Sequence, residues 1–236
     1  KSVKVDERFM FIACQNDIKT AGRKMLPPNV AKRLRIFEYP SPTLNDLKTN
    51  CRTIAKTELL KGADGAVSQY EAERMAIFIN EINNCKLSYI NKWSMRDVRK
   101  IFRRISDSLI NPKKYVNFDI KHHIIFYIMS SIPEEAAKLI FDELIKIIVE
   151  CFEVSPDLIK DYEESYFNKP EFTEIEGESY LKKGKIAVQV PKSIMDQRIS
   201  TENSLFSLWN TLFKMLIAHY KEPILIAGNS GFKTFL

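Results

Sequence analysis

"EPILIAGNSGFKTFL" (Glu222–Leu236) runs from an apolar strand, Ile224–Ala227, into a small, polar, glycine-bearing loop. A Lys-Thr pair and the first residues of a predicted helix follow. That is the order of a phosphate-binding loop. Such a loop needs backbone N–H groups converging on phosphates before a helix N-terminus, a Lys for the outer phosphates and a hydroxyl for Mg²⁺. Gly228, Ser230 and Gly231 supply the tight loop, Lys233 the cation and Thr234 the Mg²⁺-binding hydroxyl. The strict spacing G-x-x-x-x-G-K-[ST] is not met. Counting back from Lys233, Phe232 stands where the second glycine belongs and Ala227 where the first does. The Cβ of Phe232 crowds the phosphates and resists a positive φ, so nucleotide binding without turnover is the functional expectation. An ordinary strand–turn–helix with a chance Lys-Thr accounts for the same letters. A phosphate loop normally opens a nucleotide-binding domain, whereas this one comes last.

Working outward, the 236 residues are 45% hydrophobic, enough for one large or two small cores. Seven glycines and ten prolines argue against a turn-rich all-β fold. Cys14, Cys51, Cys85 and Cys151 form no C-x-x-C pair, which argues against zinc and against a disulfide framework, and for buried thiols in an intracellular protein. The longest apolar run, Ile124–Ile132, is too short to span a bilayer. The net charge of +6 is unevenly spread. Residues 1–56 hold twelve Lys/Arg against five Asp/Glu, residues 86–123 ten against three, and residues 133–180 four against fourteen. Basic segments of this kind suit nucleic acid, nucleotide phosphates or an acidic neighbour. Without interleaved aromatics or a nucleic-acid signature, direct nucleic-acid binding is not the expectation.

Along the chain, Arg8–Cys14 and Leu34–Tyr39 read as short strands, with Pro27 and Pro28 opening a brief helix between them. From Thr43 the period turns helical, with Thr43 as N-cap and Leu44, Leu47, Cys51, Ile54 and Ala55 apolar. Further helices are predicted from Ser68 to Asn83, from Ser94, over "NFDIKHHIIFYIMSSI", and over "PEEAAKLIFDELIKIIVECF" with Pro133 at its first position. The acidic, irregular stretch 165–183 reads as a linker, "GKIAVQVPKS" as a short strand and "LFSLWNTLFKMLIAHY" as a helix. The implied division is 1–62, the end of an α/β core; 63–164, a helical lid and extension; 165–185, a linker; and 186–236, the start of a second module. The fold class expected is α/β, dominated by helix.

Three further residues carry candidate chemistry. Asn16, just beyond the first strand, is placed to orient a water attacking a γ-phosphate, although an Asn that simply turns the chain is the plainer reading in isolation. Arg33, on a short helix before a strand, is placed to project from the domain and stabilise transition-state charge on a neighbour's phosphate; Arg23 and Arg35 lie close by, and a solvated surface arginine is the plainer reading. Arg96, with Arg99 one turn on, sits where a helical lid contacts phosphates, or merely forms a basic solvent face. The His122–His123 pair has no partner at ligand spacing, and no Ser/His/Asp or Cys/His constellation suggests nucleophilic catalysis.

Taken in order, "ERFMFIACQND…GRKMLPPNVAKRLRIFEY" and then "KWSMRDVRKIFRRIS" resemble the midasin branch of the dynein-related AAA+ ATPases. That branch carries an "ACQNP" segment, then "GRK-x-LP", then "LRD-x-x-R". "PILIAGNSGFKTFL" is similar to the "PVLLVGETGTGKT" loop that begins the next module of such a chain. The resemblance covers Arg8–Ile105 well and the last fifty residues moderately, and it matches little of the acidic middle. It implies that Asn16 is sensor 1, Arg33 the arginine finger, Arg96 sensor 2, and Lys233 with Thr234 the phosphate-loop pair of a following module. Asp17 replaces the family's Pro, and "AKRLRIF" replaces "LNRFTKV", so Arg35 competes with Arg33 for the finger role.

The resemblance also explains why the loop comes last. The chain would run from the second half of one AAA+ P-loop module, across its helical lid, into the first strands of the next. The Walker B strand of the first module is expected before Lys1, leaving no complete active site here. What the resemblance implies is a six-module ATPase ring with ATP and Mg²⁺ as cofactors. Its implied partners are neighbouring modules of the same chain and pre-ribosomal assembly factors released from maturing large subunits in the nucleus, with no membrane. A dynein-type motor or other AAA+ remodeller is the alternative, as is a non-catalytic helical scaffold.

Overall fold

The computed structural model describes residues 10–14, 24–37, 40–59, 69–87, 89–190 and 206–217. The chain divides into two compact units, Lys1–Ser41 and Pro42–Leu236. In the first unit the described secondary structure is one four-residue helix, α1 (Pro28–Ala31). Pro27 is its N-cap and Pro28 supplies the preset φ of a first helical position. The strands expected here do not form among the described residues. Residues 10–14 and 35–37 are irregular, with Met10 and Phe37 76% and 82% exposed. An apolar run becomes a buried strand only beside a neighbour that takes its N–H and C=O groups, and the described residues of this unit offer none.

The second unit opens with α2 (Leu44–Leu59), α3 (Gln69–Asn84) and α4 (Met95–Ile110). Thr43 begins α2 as expected: its hydroxyl accepts from the Asp46 N–H, and the Asp46 carboxylate accepts from the Thr43 N–H at 2.8 Å. α2 packs on both α3 and α4, burying Leu47, Cys51, Ile54 and Ala55, so residues 42–59 belong with the helices that follow them. After a two-residue strand, β1 (Tyr115–Val116), come α5 (Ile120–Met129) and α6 (Glu134–Phe152). α6 packs on α3 and α5. Pro133 precedes α6 as its N-cap, one position earlier than expected.

The stretch expected as a linker is ordered structure. α7 (Asp157–Phe167) leads into β2 (Glu171–Ile175), β3 (Glu178–Lys183) and β4 (Ile186–Gln189), which join β1 in an antiparallel sheet of order β1-β4-β3-β2. Two tight turns make this possible. Glu176 and Gly177 both take positive φ, 52° and 81°, the turn whose twist matches a two-residue hairpin. Gly184, φ +57°, opens the second turn, and a Cβ there would stand 3.0 Å from the Ser165 nitrogen of α7. One sheet face, with Leu181 opposite Val188 and Lys183 opposite Ile186, meets the helical core. α8 (Phe206–Ile217) packs on β4 and α5. Phe126 of α5 stands 5.6 Å from both the Tyr166 ring of α7 and the Phe213 ring of α8, measured between centroids. Among the described residues the architecture is thus helix-dominated, with one small antiparallel sheet.

Candidate functional site: the arginine edge of α4

The sequence W-S-M-R-D-V-R sets the start of α4 before any packing is considered. Ser94 is the N-cap, its hydroxyl accepting from the Arg96 N–H at 3.2 Å, and the Asp97 carboxylate accepts from the Ser94 N–H at 2.8 Å. Asp97 also accepts from the Tyr127 hydroxyl of α5, and the Tyr127 ring packs edge-on against Trp93. Burial alone would raise the Asp97 pKa, but the bonds from Tyr127 and Ser94, with the field of Lys100, outweigh it and leave the carboxyl below its ordinary value. The helix start is therefore charged and pinned to α5. Val98, Ile101, Phe102 and Ile105 bury one face together with Arg104, whose guanidinium lies over the Tyr127 ring, and Arg96, Arg99 and Arg103 fall outside it.

Those arginines are not equivalent. Glu58, at the end of α2, places one carboxylate oxygen 3.1 Å from Nε of Arg99 and the other 2.9 Å from Nε of Arg103. One carboxylate so shared ties α2 to α4, engages both guanidiniums and offsets one of their two charges. Arg96 is exposed, and no described residue bonds its guanidinium. The basic face read from the sequence thus reduces to one available guanidinium at the helix start. Glu58 was not singled out in the sequence, because the helix-to-helix contact that selects it lies 41 and 45 residues away from its partners.

Arg33 lies in the other unit. Its backbone N–H donates to the Val30 carbonyl at 3.0 Å in the turn that closes α1, and its exposed side chain has no partner among the described residues. Arg35 is equally exposed but lies one residue past the last of these turn bonds, Leu34 N–H to the Ala31 carbonyl. Of the two, Arg33 has the better-fixed backbone. Asn16, Arg23 and the loop residues Gly228, Ser230, Gly231, Lys233 and Thr234 lie outside the described residues.

Among the described residues His123, Cys51 and Cys151 are absorbed by the fold, whereas Cys14 is exposed. His123 is buried and bonds the Ser108 hydroxyl at 2.7 Å, while that hydroxyl also bonds the Arg104 carbonyl at 3.0 Å. A hydroxyl has one proton and a carbonyl can only accept, so Ser108 donates to Arg104 and receives from His123 Nε2. The ring therefore carries its proton on the side facing serine and cannot serve as the base of a Ser–His pair. Burial, aided by Arg104 and His122, lowers its pKa to about 3, so it is neutral at ordinary pH. Burial raises the Cys51 thiol to about 12 and Cys151 to about 11, leaving both unreactive. A polar notch of about 380 Å³ lies beside Gly184, lined by Lys169, Lys182, Lys185, Glu164 and Glu171. Lys185 is held by Asp161 at 2.8 Å and Lys182 sits across the strand from Glu171, so its charges are largely compensated.

Among the described residues no three His, Cys, Asp or Glu cluster as metal ligands, and no helix is long and apolar enough to cross a membrane. Comparison of the chain with family models, with curated proteins and with solved structures gave no match.

Proposed function

We propose that this chain belongs to a multi-module AAA+ ATPase ring of the midasin type, which uses ATP hydrolysis to remodel and release assembly factors from maturing large ribosomal subunits in the nucleus. The observation that carries the reading is the order of motifs: "ACQN", then "GRKMLPP", then "WSMRDVR" opening a capped helix, then a phosphate-loop-like end. The geometry of α4 supports it, since a lid arginine that reads phosphates must stay out of internal ion pairs, and Glu58 occupies Arg99 and Arg103 while Arg96 is left exposed.

In this reading Arg33 reaches the γ-phosphate bound by an adjacent module, Asn16 positions the attacking water, and Arg96 distinguishes ATP from ADP. Lys233 and Thr234 would hold the phosphates and Mg²⁺ of the following module, with Phe232 slowing hydrolysis there. The test is steady-state ATP turnover by the complete ring chain, wild type against Arg33→Ala. A fall on the order of 10³-fold is expected for loss of an arginine finger. Unchanged turnover together with unchanged nucleotide affinity in Arg96→Ala would leave this part of the ring as a structural spacer.

A further inference from the structure

Arg96 lies in the first turn of α4, where a helix frays unless its end is held. Its backbone is held by an unbroken chain of hydrogen bonds that starts on another helix. The Arg96 N–H donates to Ser94 Oγ at 3.2 Å, and the Ser94 hydroxyl donates to Asp97 Oδ2 at 2.7 Å. The other carboxylate oxygen, Asp97 Oδ1, accepts from the Tyr127 hydroxyl of α5. The two oxygens therefore have separate tasks: Oδ2 closes the cap, and Oδ1 ties the closed cap to α5. A hydroxyl that donates to a carboxylate is itself a better acceptor, so each link strengthens the next.

The anchor is itself fixed. The Tyr127 ring meets the Trp93 ring edge-on at 5.4 Å, and the Arg104 guanidinium of α4 stands 5.0 Å from the Tyr127 ring centroid. Trp93 in turn meets Phe78 of α3 edge-on at 5.4 Å. At the end of α3 the Asn83 side chain brackets the Trp93 backbone. Its Oδ1 accepts from the Trp93 N–H at 2.6 Å and its Nδ2 donates to the Trp93 carbonyl at 3.0 Å. A residue outside any helix or strand thus has both backbone groups paired. The start of α4 is held from α3 just before Ser94 and from α5 just after it. Arg99 and Arg103 are held through their guanidiniums, by Glu58. Arg96 is held at its backbone and left exposed at its side chain.

We propose that Tyr127 is a positioning residue for Arg96: its hydroxyl, acting through Asp97 and Ser94, fixes the point from which the Arg96 guanidinium meets phosphate oxygens. This rests on the reading of Arg96 as a phosphate-contacting arginine. A long side chain meets an anion productively only from a fixed root, and a misplacement of about 1 Å far from the reacting atoms can cost about 10²-fold in rate.

The experiment is a double-mutant cycle in steady-state ATP turnover by the complete ring chain, with Tyr127→Phe, Arg96→Ala and the two together. Tyr127→Phe keeps the ring and removes only the hydroxyl. It should lower kcat/KM on the order of tenfold when Arg96 is present, and by less than about twofold once Arg96 is already alanine. An equal fall in both backgrounds overturns the proposal, because a bond that merely ties α5 to α4 matters the same with or without Arg96. Amide hydrogen exchange at Arg96, read in the same chain, should speed up in Tyr127→Phe, and unchanged exchange also overturns the proposal. An Arg96→Ala chain with wild-type kcat/KM would instead sink the phosphate reading, and exchange at Arg96 would then decide by itself whether Tyr127 holds that residue. Should Tyr127→Phe fail to fold, Asp97→Asn, which keeps an acceptor for the Ser94 N–H, enters the same cycle with the same expectations.

Discussion

In Pro42–Leu236 the rings of Phe78, Phe126 and Phe141 are each at most 2% exposed, whereas in Lys1–Ser41 Phe11 is 67% exposed and Phe37 82%. The side chain is the same, and what differs is the presence of neighbours. Phe126 meets the rings of Phe118, Tyr166 and Phe213, drawn from the loop before α5, from α7 and from α8. Phe37 follows the α1 turns in irregular backbone and has no ring partner among the described residues. Apolar area contributes to stability only when folding removes it from water. The largest test of this contrast is a pair of substitutions followed by urea unfolding. Phe126→Ala should cost about 3–5 kcal/mol through lost transfer energy and a residual cavity, and Phe37→Ala should stay within about 0.5 kcal/mol of wild type. Equal losses would mean that Phe37 is buried after all, and the contrast between the units would fail.

The next effect concerns a polar group inside the second unit. Asp119 caps α5, accepting from the His122 N–H at 2.9 Å, with His122 Nδ1 2.9 Å from the same carboxylate oxygen, and receives the Tyr162 hydroxyl of α7 at 2.7 Å. Burial pushes its carboxyl up, but His122 and Lys121 more than offset this and hold it well below the ordinary 3.8. Asp119→Ala removes a cap and leaves two buried donors without an acceptor, at an expected cost of about 2–4 kcal/mol. The sign of the pH dependence follows from the depressed value. The contribution of Asp119 is complete above 3.8 and is lost as pH falls through the lower folded pKa. Asp119→Asn should therefore flatten part of the acid limb of a stability–pH profile. An unchanged limb would mean that the carboxylate is not paired as described.

These two regions also show what a sequence read alone can and cannot deliver. The helices other than α7, to which no prediction was attached, came through because their signals are local: the Thr43 and Ser94 caps and the apolar spacing of α2 and α4 sit within a few residues of what they specify. β4 was legible for the same reason. The β2–β3 hairpin was not, because four glutamates between Glu171 and Glu178 read as solvated linker, and the turn pair Glu176-Gly177 is a weaker signal than Asn-Gly. The reverse error occurred at Met10–Ile12 and Ile36–Phe37, where apolar runs specify a buried strand only if partners exist. At the arginine edge, the sequence marks Arg96 and Arg99 but cannot rank them. That ranking is set by Glu58 across the α2–α4 contact.

The smallest effect tests that ranking. Glu58 is largely covered while Arg99 and Arg103 remain partly exposed, so water screens the pairing. A double-mutant cycle of Glu58→Gln with Arg103→Gln should give a coupling of about 0.5–1 kcal/mol, shrinking in high salt. Arg99, which meets Glu58 through a single longer contact, should couple less than Arg103. Arg96→Ala should show no coupling to Glu58 and leave stability within about 0.5 kcal/mol of wild type. The stability measurement isolates availability from function, because an arginine outside every internal ion pair can be removed without cost to the fold. A coupling of Arg96 to Glu58 as large as that of Arg103 would place all three arginines on one carboxylate. Arg96 would then be held by the fold, and the geometric support for its reading phosphates would be gone.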